Sequence, residues 1–184
     1  MISSCDSWRG IVAALSIAGA VQALWAQAAM GTQASSRGVL NAPSRGASNA
    51  SATLIVFEDF ECFKCARSSA VFKSVLQAHT ALRVVFKSAP AKSNKNAFLA
   101  HEAAMAAHAQ GKFWEMHDLL FASQQNLQRE DLITYTRKLG LDIGEFTKAL
   151  DDHRFRGVVE SDLAEAQGLG VTSTPTFFWL CARI

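Results

Sequence analysis

The stretch that most constrains this chain is Thr53 to Arg67, TLIVFEDFECFKCAR, in which an apolar run leads into Cys62-Phe63-Lys64-Cys65. Leu54, Ile55, Val56 and Phe57 are consecutive, β-branched or aromatic, and suit a strand buried on both faces of a sheet. After the second cysteine, Val71, Phe72, Val75 and Leu76 recur at three- and four-residue spacing, with Arg67, Lys73 and Gln77 on other faces, so a helix is predicted. The two cysteines therefore fall where a central strand hands over to a helix N-terminus. Unpaired N–H groups and a partial positive charge at that place favour a thiolate and can lower a cysteine pKa from about 8.5 to roughly 3.5–7.5. Cys62 is the expected nucleophile. Cys65, one helical turn on, is the expected resolving thiol, able to attack a mixed disulfide on Cys62. Phe63 and Lys64 between them are expected to tune Cys62, the Lys64 charge favouring its thiolate. Glu58, Asp59 and Glu61 oppose it if their carboxylates face the sulfur.

With 184 residues, 49% hydrophobic and 18% charged, the composition is that of a globular domain with room for a subdomain. A net charge of +2 with no basic block argues against nucleic acid as a partner. Residues 1–28 read as a secretory signal: Arg9, an apolar stretch from Gly10 to Ala26, then Ala26-Gln27-Ala28, with cleavage expected after Ala28. The apolar stretch is short of the roughly 20 residues of a membrane span, and an uncleaved anchor is the rival reading. Cleavage removes Cys5 and leaves Cys62, Cys65 and Cys181, a close pair plus one, which suits a redox motif in an exported protein better than a disulfide framework. The expected location is periplasmic or secreted.

Residues 29–52, rich in Ala, Ser, Gly and Asn, read as a flexible linker. Residues 53–93 hold the strand, the cysteine helix and a second strand, Leu82 to Lys87, ending at Ala89-Pro90-Ala91, which together make a βαβ unit. Residues 94–168 are almost wholly helical: Ala97 to Gln110 capped by Gly111, Phe113 to Phe121, Glu130 to Leu139 ending at Gly140, Ile143 to Leu150, and Gly157 to Gln167 ending at Gly168. So much helix between strands implies a subdomain, expected across the mouth of the cysteine site. Phe113, Trp114, Met116 and Phe121 read as its core, and His101 and His108 as solvent-facing. Residues 169–184 carry Thr174-Pro175 before an aromatic strand, where Pro belongs at the first or edge position and a cis peptide is expected.

In this order FEDFECFKC, FKSAP, QGKFWEMHDLLF and GVTSTPTFF resemble the DsbA-like thiol:disulfide oxidoreductases of the bacterial envelope, over roughly Leu54 to Phe178. The resemblance implies an α/β thioredoxin-like fold with an inserted helical subdomain, and an enzyme that forms or exchanges disulfides through Cys62 and Cys65. It implies that Thr174 and Pro175 lie beside the cysteines and bind substrate backbone. No cofactor or metal is implied. The implied partners are exported proteins with thiols or disulfides, and a membrane redox partner that recharges the pair. Phe63 stands where the family dipeptide usually begins with Pro. Val56 stands six residues before Cys62, where thioredoxins carry a buried Asp, which argues against a thioredoxin-style reductase. Against the family pattern, the last strand and closing helix are expected to be missing, and WLCARI suggests a truncated or altered end. The alternative function is a peptide-binding or chaperone-like module of the cell envelope whose disulfide is not catalytic.

Overall fold

A computed structural model describes residues 42–181. The signal expected over residues 1–28, with Cys5, lies outside them, as does most of the linker expected over residues 29–52.

The apolar run becomes β2 (Ala52–Glu58), the centre of a four-stranded sheet of order β1-β3-β2-β4. Leu54 to Phe57 are all buried, as a strand covered on both faces requires. On one face Leu54 and Val56 join Leu82 and Val84 of β3 (Leu82–Ser88) against Phe72, Val75 and Leu76 of α1 (Phe63–Ala78). On the other, Phe57 meets Phe178 of β4 (Thr176–Cys181) edge to face, ring centroids 5.8 Å apart. The pair β2–β3 is parallel and β2–β4 antiparallel. Among the described residues β4 has a partner on one side only. Phe177, Trp179 and Leu180 are exposed there, while Phe178 is half-buried on Phe57.

One sequence expectation fails at the end of the linker. Ser44–Gly46 form an edge strand, β1, antiparallel to β3. Three residues carry no readable period; what holds them is distant. Trp114 donates its indole N–H to the Ser44 carbonyl at 2.8 Å, the Arg45 guanidinium lies 4.5 Å above the Trp114 ring, and Arg83 donates to Ser44 Oγ. Gly46, at φ 109°, lets the strand run so close to β3 that a Cβ would strike the Leu82 carbonyl oxygen.

Five helices separate β3 from β4: α2 (Ala97–Ala109), α3 (Phe113–Ala122), α4 (Arg129–Lys138), α5 (Ile143–Asp151) and α6 (Arg156–Gly168). They match the expected helices to within a residue or two. The last one runs through Gly168, and the positive φ falls at Gly170 instead. Alanines at 100, 103, 104, 106 and 107 are buried, so α2 can sit deep between its neighbours. Phe60, Phe86, Phe113, Met116, Leu120, Leu132 and Phe146 fill the space between sheet and helices, each burial contributing about 1.5–3 kcal/mol. Trp114 of the expected core is only half-buried because it reaches back to β1. His101, expected to face solvent, is fully buried among Phe60 and Phe86, and burial, then the charge of His117, pushes it down to about 3.

Candidate active site

The loop from β2 to α1 is pinned by its own acids. Asp59 accepts hydrogen bonds from Glu61 N (2.9 Å), Ala91 N (2.9 Å) and Asn94 Nδ2 (2.7 Å), and Glu61 accepts from Asn96 N at 3.0 Å. Both carboxylates are thus committed to joining the cysteine loop to the β3–α2 connection. Phe60 between them is buried, stacked on Phe86.

This frame puts Cys62 at the N-cap of α1 with an extended backbone and no side-chain cap bond, so its sulfur is left to chemistry rather than to capping. Cys62 is half-exposed and Cys65 fully buried, and both thiols are free. Cys62 Sγ lies 3.4 Å from the carbonyl oxygen of Thr174, which is joined to Pro175 by a cis peptide. The fold thus brings together Cys62 and the Thr174-Pro175 loop across 112 positions. Phe63 is 67% exposed beside Cys62, under the Arg67 guanidinium.

The two thiols are driven in opposite directions. Partial burial works against ionising Cys62. Hydrogen bonds from the Thr174 and Cys65 side chains, and from the N–H groups of Cys65 and Lys64, outweigh it and lower its pKa. Lys64 acts on the sulfur through its backbone N–H, and its side chain is exposed. Burial pushes the Cys65 thiol far above the ordinary range. The Asp59 N–H works against that rise, and the bond with Cys62 and the charge of Glu58 add to it. Beside Thr174 a groove of about 250 Å³ runs between Ala89–Lys92, α6 and residues 171–174, so the last helix does border the site.

Sequence reasoning missed His117. It is buried on α3 with one ring nitrogen 3.6 Å from Glu58 Oε2 and the other 2.9 Å from Asp118 Oδ1. A signal was available, since 113, 116, 117, 120 and 121 make one helical stripe and a histidine at 117 sits on its apolar face. Among the described residues no cluster of three or more His, Cys, Asp or Glu side chains is placed to hold a metal.

A family profile described as thioredoxin matches residues 39–179. Two similar curated proteins are Na(+)/H(+) antiporters: NhaA 3 of Salinispora tropica, 39% identical over 135 residues, and NhaA of Herminiimonas arsenicoxydans, 40% over 136. Each match covers 73% of this chain and 21% of the antiporter, so the chain spans about a fifth of the length of the curated relatives it matches. A thioredoxin-like oxidoreductase from Silicibacter pomeroyi superimposes with a TM-score of 0.70 at 26% identity, covering 77% of this chain and 83% of that one. The thiol-disulfide exchange protein alpha-DsbA2 from Wolbachia pipientis gives 0.71 at 17%, covering 88% of each chain, and BdbD from Bacillus subtilis 0.68 at 21%, covering 77% and 82%. With a βαβ unit bearing Cys-x-x-Cys, helices inserted after β3 and a cis-proline before β4, this chain belongs to the thioredoxin family and has the DsbA-like form of its fold.

Proposed function

We propose that this protein is a thiol:disulfide oxidoreductase of the bacterial envelope that acts on exported proteins. The observation that carries the reading is the asymmetry of the pair: an accessible Cys62 whose thiolate is favoured, next to a buried Cys65 whose thiolate is not. In the oxidising direction a substrate thiolate attacks Cys62 of the Cys62–Cys65 disulfide and Cys65 leaves. A second substrate thiolate then displaces Cys62, so the substrate is oxidised and the pair reduced. The lowered Cys62 makes it the better leaving group in that last step. Thr174 and Pro175 bind substrate backbone beside the sulfur, and the groove next to them takes the flanking residues. No cofactor enters. A membrane redox partner reoxidises the pair, and residues 1–28 direct export, with cleavage after Ala28.

The antiporters are relatives of which this chain matches only 21%, and no ion transport is carried over from them. The test is the reduction potential of the pair, measured in glutathione buffers on chain with Cys181 replaced by Ser. A value near about −120 mV marks a disulfide donor and one near about −270 mV a reductant. Absence of any reversible couple overturns the enzyme reading in favour of the peptide-binding one.

A further inference from the structure

Four exposed cations stand around Cys62. Lys64 gives the sulfur its backbone N–H and leaves its ammonium in solvent. Arg67, one helical turn beyond Phe63, holds its guanidinium 5.7 Å from the centre of that exposed ring. Lys92 borders the groove beside Thr174, whose carbonyl oxygen is 3.4 Å from the Cys62 sulfur. Lys95 sits between Asn94 and Asn96, which tie the β3–α2 connection to Asp59 and Glu61 of the cysteine loop.

No carboxylate answers them. Residues 63–71, 91–95 and 172–174 meet at the sulfur, and their exposed side chains include no acid. Glu58 and Asp59 are buried, Asp59 spends both oxygens on amides, and Glu61 is half-buried with Oε2 on the Asn96 N–H. The helical subdomain is built differently. There Lys112, Arg129, Lys148, Arg154 and Arg156 each meet a carboxylate at 2.6 to 2.9 Å, while Arg137 and Lys138 lie in the last turn of α4 and face its partial negative charge. Among the described residues Lys64, Arg67, Lys92 and Lys95 form no ion pair. Four like charges on one rim do nothing for the fold, but they create a positive field around the one accessible sulfur of the pair. The groove has the matching character: Ala89, Pro90, Leu163, Ala166 and Val171 give it apolar walls, and Lys92 is the only charged residue among the described ones that line it.

We propose that this rim selects acidic polypeptide: segments whose cysteine is flanked by aspartate or glutamate are drawn to Cys62 by Lys64, Arg67, Lys92 and Lys95. The segment lies in the groove beside Thr174, small apolar side chains inward and an acidic one at Lys92. Segments flanked by lysine or arginine are repelled by the same field. The proposal rests on the exchange reading above and adds the class of substrate. Because the four cations are exposed, each contact contributes little to final affinity, and the selection acts chiefly on the rate of encounter. It weakens with salt, since the screening length is about 10 Å at 0.1 M and shorter above it.

The test uses the reduced full chain, with Cys5 and Cys181 replaced by Ser, and two peptides of equal length, each closed by a disulfide between its own two cysteines. One carries glutamates beside the cysteines and the other lysines at the same positions. The Cys62 thiolate attacks the peptide disulfide and Cys65 then displaces the peptide sulfur, so the chain gains one disulfide and the peptide leaves with two thiols. The acidic peptide is expected to react about 30-fold faster than the basic one at low salt, and the ratio to fall within about threefold at 0.5 M salt. Lys92→Glu combined with Lys95→Glu is expected to cut the low-salt ratio about tenfold. Comparing that ratio between the variant and the unmodified chain cancels the peptides' own difference in reactivity. A ratio near one at low salt, a ratio that salt does not move, or one that the double variant leaves unchanged overturns the proposal. So does salt-sensitive binding to vesicles of phosphatidylglycerol and phosphatidylcholine without any peptide preference, which would assign the rim to anionic lipid. No reaction with either peptide, or a reaction that survives Cys62→Ser, overturns the exchange reading itself.

Discussion

Two buried ionic clusters stand at the ends of adjacent parallel strands and are built to different standards. At the end of β3, Lys87 Nζ contacts Asp162 Oδ1 at 2.8 Å and Glu165 Oε2 at 3.0 Å, and Asp162 Oδ2 also accepts the Ser88 N–H at 3.0 Å. At the end of β2, Glu58 has a shared hydroxyl and a histidine just beyond hydrogen-bond distance. The register pairs Phe57 with Lys87 and Glu58 with Ser88, so the two charges point to opposite faces of the sheet. One cluster staples α6 to the sheet, and the other lies behind the cysteine helix. Burial by itself thus says little about how completely a charge is paired.

The largest effects expected are on chemistry. Cys62→Ser should abolish exchange with a peptide disulfide, while Cys65→Ser should still attack but accumulate mixed disulfides visible by mass spectrometry. The reverse outcome would remove the asymmetry on which the exchange reading depends. Lys87→Met should lower unfolding free energy by about 3–5 kcal/mol in denaturant titrations, because Asp162 and Glu165 keep buried charge without a counterion. It should leave the rate of exchange with a peptide disulfide unaltered. A slowed exchange in Lys87→Met would mean that the two clusters are not separate.

A pH series sharpens the same contrast. Burial disfavours the Lys87 ammonium, but the two carboxylates outweigh it and hold its pKa above the ordinary 10.5. A raised lysine stabilises the fold fully below the unfolded value and loses that contribution as pH climbs through the folded one. The gap in Tm between the unmodified chain and Lys87→Met should therefore stay flat up to about pH 10 and shrink above it. The smallest effect is expected at Lys64, which acts on Cys62 through its backbone N–H. Lys64→Glu should barely move the pH midpoint of Cys62 alkylation, and a clear rise would show that the exposed side-chain charge matters after all.

Much of the architecture was legible without coordinates. Leu54 to Phe57, the three- and four-residue spacing after Cys65 and the punctuated helices from Ala97 to Gly168 are local patterns, and each element formed close to where its pattern lies. The cis Thr174-Pro175 bond followed from the resemblance and from a proline opening an aromatic strand. What was not legible depends on pairs far apart in the chain. Ser44–Gly46 became a strand through Trp114, and His101 went inside because α2 is wrapped by aromatic rings.

The order of elements, the strand-to-helix setting of the two cysteines and the family were written locally, since those depend on hydrophobic period and on residues a few positions apart. Tertiary packing alone settled which of three neighbouring acids is left without an amide partner. Asp59 and Glu61 were claimed by amides some 32 to 35 positions away, and Glu58 was left facing a histidine 59 positions on, at 117. Hydrogen-bond partners at such separations are set by how helices and sheet pack, and no local pattern in the chain encodes them.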